Sequence, residues 1–184
     1  ILVETQLPEN FGSVARCMLN FGFEDLRIVS PKFNLDNEKI LPLAAGANIV
    51  IKNTQVYNSF EESVKDISFL IAFTARKRTF RKISVDIPNA IDELNKITQS
   101  NNKVGLVFGP ENSGLSNQDI RLANFLFTIP TYNINKSLNL SHAVSVMSYE
   151  LFQANNTSFK KNPTSNIDKV SKLEFSNFMN VLLK

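Results

Sequence analysis

The sequence has few of the residues that cross-link a chain or hold it in a membrane. Cys17 is the single cysteine among 184 residues, so an internal disulfide is excluded and a reducing, cytoplasmic location is favoured. The longest apolar runs, such as residues 69–73, are far shorter than the roughly 20 residues that span a bilayer, so no membrane segment is predicted. The only histidine, His142, has no Cys or carboxylate partners at metal-ligand spacing, so no metal is expected.

What the sequence does contain predicts one folded domain. Hydrophobic residues make up 43% of the chain, enough for an ordinary core. The net charge of +3 permits a polyanionic partner without requiring one. We expect a domain over residues 1–154, followed by a linker and a C-terminal helical extension over residues 155–184. Within this second part, residues 155–168 are polar and residues 170–183 are amphipathic.

Apolar runs of strand length alternate with stretches of helical period, which predicts an α/β fold with a mostly parallel sheet flanked by helices. Gly22, Asn58 and Ser116 with Asp119 are predicted to cap the first, second and fourth helices. The predicted strands are residues 1–4, 26–29, 69–73, 104–108 and 125–129, with a weaker one around Val56. The predicted helices are residues 11–21, 59–65, 90–97, 117–122 and 138–153.

The loop after the first strand leads into a helix with Arg16 in its first two turns. The small residues Gly12, Ser13 and Ala15 allow close backbone approach there. A guanidinium at this place can hold a phosphate through its fork of donors. The alternative is a surface arginine on a helix that packs through its small residues.

Two further loops follow predicted strands at the sheet edge where open α/β sheets bind ligands. In residues 109–115, Gly109 and Gly114 can take backbone angles that other residues avoid and can let a ligand lie against the main chain. Glu111 in this loop either accepts hydrogen bonds from its own loop or acts on a ligand. In residues 130–140, Ser137 is expected to be the N-cap of the long helix, and the free amides after it either complete the cap or bind an electronegative group.

A basic run follows the strand at residues 69–73. It holds five cations in seven residues, next to the other loops, and is predicted to contact a phosphate backbone rather than to be only a solvated loop. The predicted RNA-binding cations are Arg76, Lys77, Arg78, Arg81 and Lys82, together with Arg16.

The three loops resemble, in order, the three motifs of the SpoU family of SPOUT-class RNA 2′-O-ribose methyltransferases. Residues 10–16 are similar to motif one, residues 106–115 to motif two and residues 129–144 to motif three. Residues 43–47 and 74–76 resemble the TrmJ branch, which methylates the anticodon loop of tRNA two nucleotides before the anticodon. The resemblance covers residues 1–154.

This resemblance implies a C-terminal trefoil knot, an S-adenosylmethionine site inside the knot, a tRNA or rRNA substrate and a homodimer that completes each active site in trans. Arg16 would come from the partner subunit and help to activate the ribose 2′-hydroxyl, supported by Asn10, while Ser137 and Asn139 position the reactants. The implied cofactor-binding residues are Phe73, Thr74, Ala75, Phe108, Gly109, Glu111, Ile129, Ser137, Leu138 and Leu140.

The chemistry is consistent with these roles. The methyl donor is a sulfonium whose leaving group departs neutral, so no metal is required. Because an arginine is effectively always charged, Arg16 is better suited to stabilise a phosphate or alkoxide than to accept a proton. A ribose hydroxyl as nucleophile selects RNA over DNA. The alternatives are methylation at another tRNA position or of rRNA, a non-catalytic RNA-binding relative, and an α/β enzyme acting on a small molecule.

Overall fold

The computed structural model describes residues 1–76, 102–132, 134 and 136–155. The helix predicted at residues 90–97, the linker after residue 155 and the stretch at 170–183 lie outside these ranges. In chain order the elements are β1 (Leu2–Val3), α1 (Pro8–Asn20), β2 (Arg27–Val29), α2 (Ile40–Ala44), α3 (Asn48–Asn53), β3 (Gln55–Tyr57), α4 (Phe60–Ser63), β4 (Phe69–Phe73), β5 (Val104–Val107), α5 (Asn117–Leu122), β6 (Phe125–Phe127) and α6 (Leu140–Asn155).

The strands are parallel and form one continuous arrangement. The first three pair in the order β1-β2-β3, and the others pair in the order β5-β4-β6. A parallel bridge between Leu2 and Phe108 joins the two groups, and the Val3 N–H donates to the Phe108 carbonyl at 2.9 Å. The order across the molecule is therefore β3-β2-β1-β5-β4-β6. The predicted α/β class is confirmed, including the weak strand at Val56.

Both faces of the sheet are buried, because alternate strand residues enter two different hydrophobic clusters. Leu2 and Ile28 pack in a cluster with α1 and α6, whereas Val3 and Val29 pack in a second cluster on the opposite face. A fully covered parallel sheet leaves the ends of its strands as the places where a ligand can reach it. Cys17 packs in the first cluster as a buried free thiol.

The small residues of α1 are used for helix packing. A Cβ atom built on Gly12 would lie 2.3 Å from the carbonyl oxygen of Ile40, so α1 and α2 touch through their main chains. Neither α2 nor α3 is predicted from the sequence, because they have only five and six residues and α2 contains Pro42. The small residues of α1 thus serve helix packing, as the second of the two readings of this segment expected.

Several helix limits differ from the predicted ones. Helix α1 begins at Pro8, a residue suited to a first helical position, rather than at residue 11. The N-cap of α4 is Ser59, whose Oγ accepts from the Glu62 N–H at 3.2 Å, and not Asn58. The capping box of Ser116 and Asp119 is confirmed, and so is a left-handed Gly22 after α1.

An ion pair that the sequence does not reveal joins a buried arginine to a half-exposed carboxylate at the opposite end of the sheet. Arg27 on β2 is only 3% exposed. Its Nη1 and Nη2 atoms donate to the two carboxylate oxygens of Asp66 at 2.6 and 3.0 Å, and Nη1 also donates to the Ser63 carbonyl at 2.6 Å. Lys103 Nζ donates to the same carboxylate at 2.8 Å. A bidentate pair of this kind holds β2 against the segment before β4.

We expect this pair to give a pH-dependent part of the stability. The hydrogen bond from Arg27, and then that from Lys103, hold the pKa of Asp66 well below its ordinary value. A lowered folded-state pKa stabilises the fold above the unfolded pKa of about 3.9, and this stabilisation fades as the pH falls below that value. Because Asp66 is half-exposed, Asp66→Asn should lower the free energy of unfolding by only about 1 kcal/mol at pH 7.

The measurement is urea unfolding of both proteins between pH 7 and pH 2. The difference between wild type and Asp66→Asn should be constant down to about pH 5 and shrink below about pH 4. A difference of the same size at pH 7 and pH 2 would show that the carboxylate charge is not its source.

Candidate active site

Two of the loops singled out in the sequence, at residues 109–115 and 130–140, meet the start of the basic run after β4 around one pocket of about 300 Å³ at the carboxyl ends of β4, β5 and β6. Gly109 lines it from the first of these loops, and Ile129 and Ser137 line it from the start and the end of the second. The loop of motif one does not line the pocket and joins it through the hydrogen bond of Asn10 to Glu111. The Thr128 hydroxyl donates to the Thr74 carbonyl at 2.8 Å and so joins the loop after β6 to the loop after β4. All the residues implied for the cofactor line this pocket: Phe73, Thr74, Ala75, Phe108, Gly109, Glu111, Ile129, Ser137, Leu138 and Leu140.

Stacked aromatic rings form a rigid part of the pocket wall. The rings of Phe73 and Phe108 lie almost parallel with centroids 4.4 Å apart. The ring centroid of Phe127 lies 5.3 Å from that of Phe73. All three side chains are buried. The ends of three neighbouring strands are thereby fixed relative to one another.

The glycines of the loop at 109–115 serve the loop itself. A Cβ on Gly109 would lie 2.3 Å from the Leu115 main-chain nitrogen, so the loop folds back onto its own first residue. Gly114 has a φ of +67° and makes the turn possible. The reason for Gly109 is therefore contact with its own loop, rather than a special backbone angle.

The carboxylate of Glu111 is fully engaged with the loop of motif one. Its Oε1 accepts from Asn10 Nδ2 at 2.7 Å and from the Leu7 N–H at 3.4 Å, and its Oε2 accepts from the Gln6 N–H at 2.9 Å. These partners belong to the motif-one segment and not to the loop of Glu111 itself. Glu111 lines the pocket, and its carboxylate is hydrogen-bonded to the segment that leads into α1.

Asn139 extends this network to motif three. Its Nδ2 donates to Asn10 Oδ1 at 2.9 Å, and its Oδ1 accepts from the Ser141 N–H at 2.9 Å and from the His142 N–H at 3.4 Å. Asn139 is therefore the N-cap of α6, and the prediction of Ser137 as cap was wrong. The helix begins two residues later than expected, because asparagine caps as well as serine does and here also meets Asn10.

Ser137 and Arg16 lie in different places. Ser137 is exposed on the pocket wall, free of the capping role. Arg16 is exposed on α1 and is not among the residues that line this chain's own pocket. Its predicted position in the pocket of a partner subunit stays a prediction.

The pocket also carries positive charge. Arg76 lines it, as expected for the start of the basic run, and so does Lys136, which the sequence reasoning did not single out as a site residue. The other predicted RNA-binding cations lie outside the described residues: Lys77, Arg78, Arg81 and Lys82.

Two searches cover the described residues, which leave out 77–101, 133, 135 and 156–184. They contain no group of three His, Cys, Asp or Glu side chains able to hold a metal ion. Nor does any helix in the same part of the chain have the length and apolar character needed to cross a membrane.

Comparison with known proteins follows the same motifs. The model of the SpoU rRNA methylase family matches residues 1–149. The chain belongs to this family. The family predicted from the three motifs, a family of methyltransferases, is confirmed.

Two of the proteins to which the chain is similar are TrmJ methyltransferases. The chain is 39% identical over 153 residues to the tRNA (cytidine-2′-O-)-methyltransferase TrmJ of Methanocaldococcus jannaschii. The matched residues make up 83% of this chain and 66% of that protein. The crystal structure of TrmJ from Z. mobilis ZM4 superposes with a TM-score of 0.77 at 38% identity, covering 83% of this chain and 66% of that one. The chain thus spans about two thirds of the length of these TrmJ proteins.

A more distant structure concerns 2-OH methylation of C/U34 on tRNA. It superposes with a TM-score of 0.64 at 25% identity and covers 83% of this chain and 92% of that one.

Proposed function

We propose that this protein is an S-adenosylmethionine-dependent 2′-O-ribose methyltransferase that acts on tRNA. The observation that carries the proposal is the convergence of Gly109 from motif two with Ile129 and Ser137 from motif three on a single pocket, to which Asn10 of motif one is hydrogen-bonded through Glu111. The family and the tRNA 2′-O-methyltransferase named among the relatives support the reaction type. A tRNA substrate and the single buried cysteine also favour the cytoplasm.

The residues of the pocket fit S-adenosylmethionine. The volume of about 300 Å³ is at the lower end of the range for small-molecule sites. Ile129, Leu138 and Leu140 provide apolar surface for an adenosine. The main-chain groups of Ile129, Ser137 and Leu138 make no hydrogen bond to another described residue, which leaves donors and acceptors for a purine edge.

When bound, S-adenosylmethionine supplies a methyl group carried on a sulfonium. The chain's own residues hold the acceptor oxygen in place and stabilise the charge that it develops. Ser137, whose hydroxyl lies on the pocket wall and has no hydrogen bond to another described residue, orients the ribose. Arg16 of the partner subunit stabilises the ribose 2′-oxygen or a neighbouring phosphate, because its guanidinium stays charged. The network from Glu111 through Asn10 to Asn139 makes the two asparagines positioning residues.

The proposal includes a homodimer and a C-terminal trefoil knot. Arg16 is exposed and does not line the pocket of its own chain, which leaves it available to the pocket of a second copy. The loop between β6 and α6 lies against the loops after β4 and β5, the arrangement needed for the chain end to be threaded there. Residues 1–154 would form the methyltransferase domain and residues 155–184 an extension.

Within tRNA, we propose the nucleotide two places before the anticodon, since residues 43–47 and 74–76 resemble the TrmJ branch and TrmJ proteins are among the relatives. A second candidate is the C/U34 position, because a protein concerned with that site shares the fold. A third is rRNA, which the family description names.

The test is transfer of radiolabelled methyl groups to tRNA and rRNA, followed by mapping of the modified nucleotide. Label is expected in tRNA, in a dinucleotide that resists alkaline cleavage, and a tRNA with a 2′-deoxy target should accept none. Label in a base would refute the reaction type. Calorimetry with S-adenosylhomocysteine addresses the non-catalytic alternative, which predicts no cofactor binding.

A further inference from the structure

Two apolar side chains are almost fully exposed in the loop whose two ends line the pocket. Tyr132 is 80% and Ile134 is 87% exposed, the highest values for large apolar side chains in the described part of the chain. They lie between Ile129 and Ser137, both of which line the pocket. Exposed apolar side chains next to a binding site indicate a surface that a partner covers.

The surface next to Tyr132 is positively charged. Arg76 and Lys136 line the pocket, and Glu111 is the only carboxylate among its described lining residues. That carboxylate already accepts three hydrogen bonds from the motif-one segment, from Asn10 and from the main chain at residues 6 and 7. Two cations thus outnumber one carboxylate among the described lining residues, and that carboxylate is turned toward the motif-one segment.

We propose that Tyr132 stacks on an unpaired RNA base next to the methylated ribose and that Lys136 binds a backbone phosphate there. The inference rests on the proposed function and assigns two substrate-binding residues to it. Alternation of an aromatic ring with cations is how proteins hold single-stranded nucleic acid, because every base has a stacking face and every nucleotide a phosphate.

Charge favours RNA over a second copy of the chain as the occupant of this surface. The proposed homodimer already brings Arg16 of the partner subunit toward this pocket, which adds to the positive charge of Lys136 and Arg76 and leaves that charge for an anion to balance. An RNA loop brings the opposite charge. It also offers unstacked bases, which a duplex does not.

The first experiment compares Tyr132→Leu with Tyr132→Phe in fluorescence anisotropy, using a labelled anticodon stem-loop RNA. Leucine keeps apolar volume but has no ring, so RNA affinity should fall about tenfold or more, whereas phenylalanine should keep it within about twofold of wild type. Thermal unfolding and calorimetric affinity for S-adenosylhomocysteine should be unchanged in both, since Tyr132 is exposed.

The second experiment measures the salt dependence of the same binding. Lys136→Ala should reduce the slope of log affinity against log salt by about 0.7, the value for one phosphate contact on a single strand. Lys52→Ala, an exposed lysine on α3 outside the pocket, is the matched control and should leave the slope unchanged.

Equal RNA affinity for wild type, Tyr132→Leu and Tyr132→Phe would overturn the inference. So would an altered sedimentation coefficient of Tyr132→Leu, which would show that a second copy covers this side chain. The binding assay needs no turnover, so it tests the contacts of Tyr132 and Lys136 separately from the reaction. A wild type that binds the stem-loop but transfers no methyl group refutes the proposed reaction, and the affinities of the variants still decide the two contacts.

Discussion

Arg16→Ala should lower methyl transfer to tRNA by about a thousandfold while leaving affinity for S-adenosylhomocysteine unchanged. The side chain is exposed on α1 and does not line the pocket of its own chain, so its removal disturbs neither the core nor the cofactor site. What is lost is the fixed positive charge beside the oxygen that becomes negative. Arg16→Lys should recover only part of the rate, because an ammonium lacks the planar fork of donors.

Mixing two inactive variants tests whether Arg16 acts in trans. Ser137→Trp fills the pocket of one subunit with an indole but keeps its Arg16, whereas Arg16→Ala keeps an open pocket. If the site is shared, random reassociation of equal amounts should restore about a quarter of wild-type activity, because half of the dimers then hold one complete site. If each chain uses its own arginine, the mixture stays inactive. Single-species sedimentation as a monomer at micromolar concentration would contradict the dimer itself.

The second large effect is expected for Glu111→Ala. The variant leaves Asn10 Nδ2 and two main-chain N–H groups without their acceptor, which should cost about 2 to 3 kcal/mol of unfolding free energy. Because the same carboxylate fixes the first and second motif loops together, S-adenosylhomocysteine affinity should fall by about tenfold to a hundredfold. Urea unfolding and calorimetry on the same protein measure both losses.

A double-mutant cycle separates the network from the individual side chains. Glu111 and Asn139 do not contact each other but share Asn10 as a partner. Their substitutions by alanine should therefore be non-additive, with a coupling free energy of about 1 kcal/mol. Ser13→Ala, on α1 like Asn10, is the control. Its loss of unfolding free energy should add to that of Glu111→Ala without coupling. Strict additivity of the first pair would contradict a network that joins the three motifs.

The strands and the pocket could be predicted because they depend on local pattern and simple geometry. A buried parallel strand such as β4 is a short apolar run, and the carboxyl ends of parallel strands share one edge of the sheet. Helices α2 and α3 could not be predicted, since each has little more than one turn and depends on packing against α1. The motif resemblance supplied the individual pocket residues.

Side-chain pairing between distant segments is what the sequence could not reveal. Nothing near Arg27 in the chain indicates that its guanidinium lies buried against Asp66, 39 residues away. The N-cap of α6 was misplaced for the same reason. Ser137 and Asn139 are equally good caps by type, and the choice is made by Asn10, 129 residues earlier.

The bond between Asn139 and Asn10 also bears on how the polypeptide acquires its site during synthesis. The first turn of α6 is fastened to the opening helix across 129 residues, and contacts of such long range form late and slowly. A nascent chain that has emerged only as far as β6 lacks one wall of the cavity and the cap that holds it. We therefore expect the proposed methyl-donor pocket to be completed only when α6 docks, after the sheet is complete.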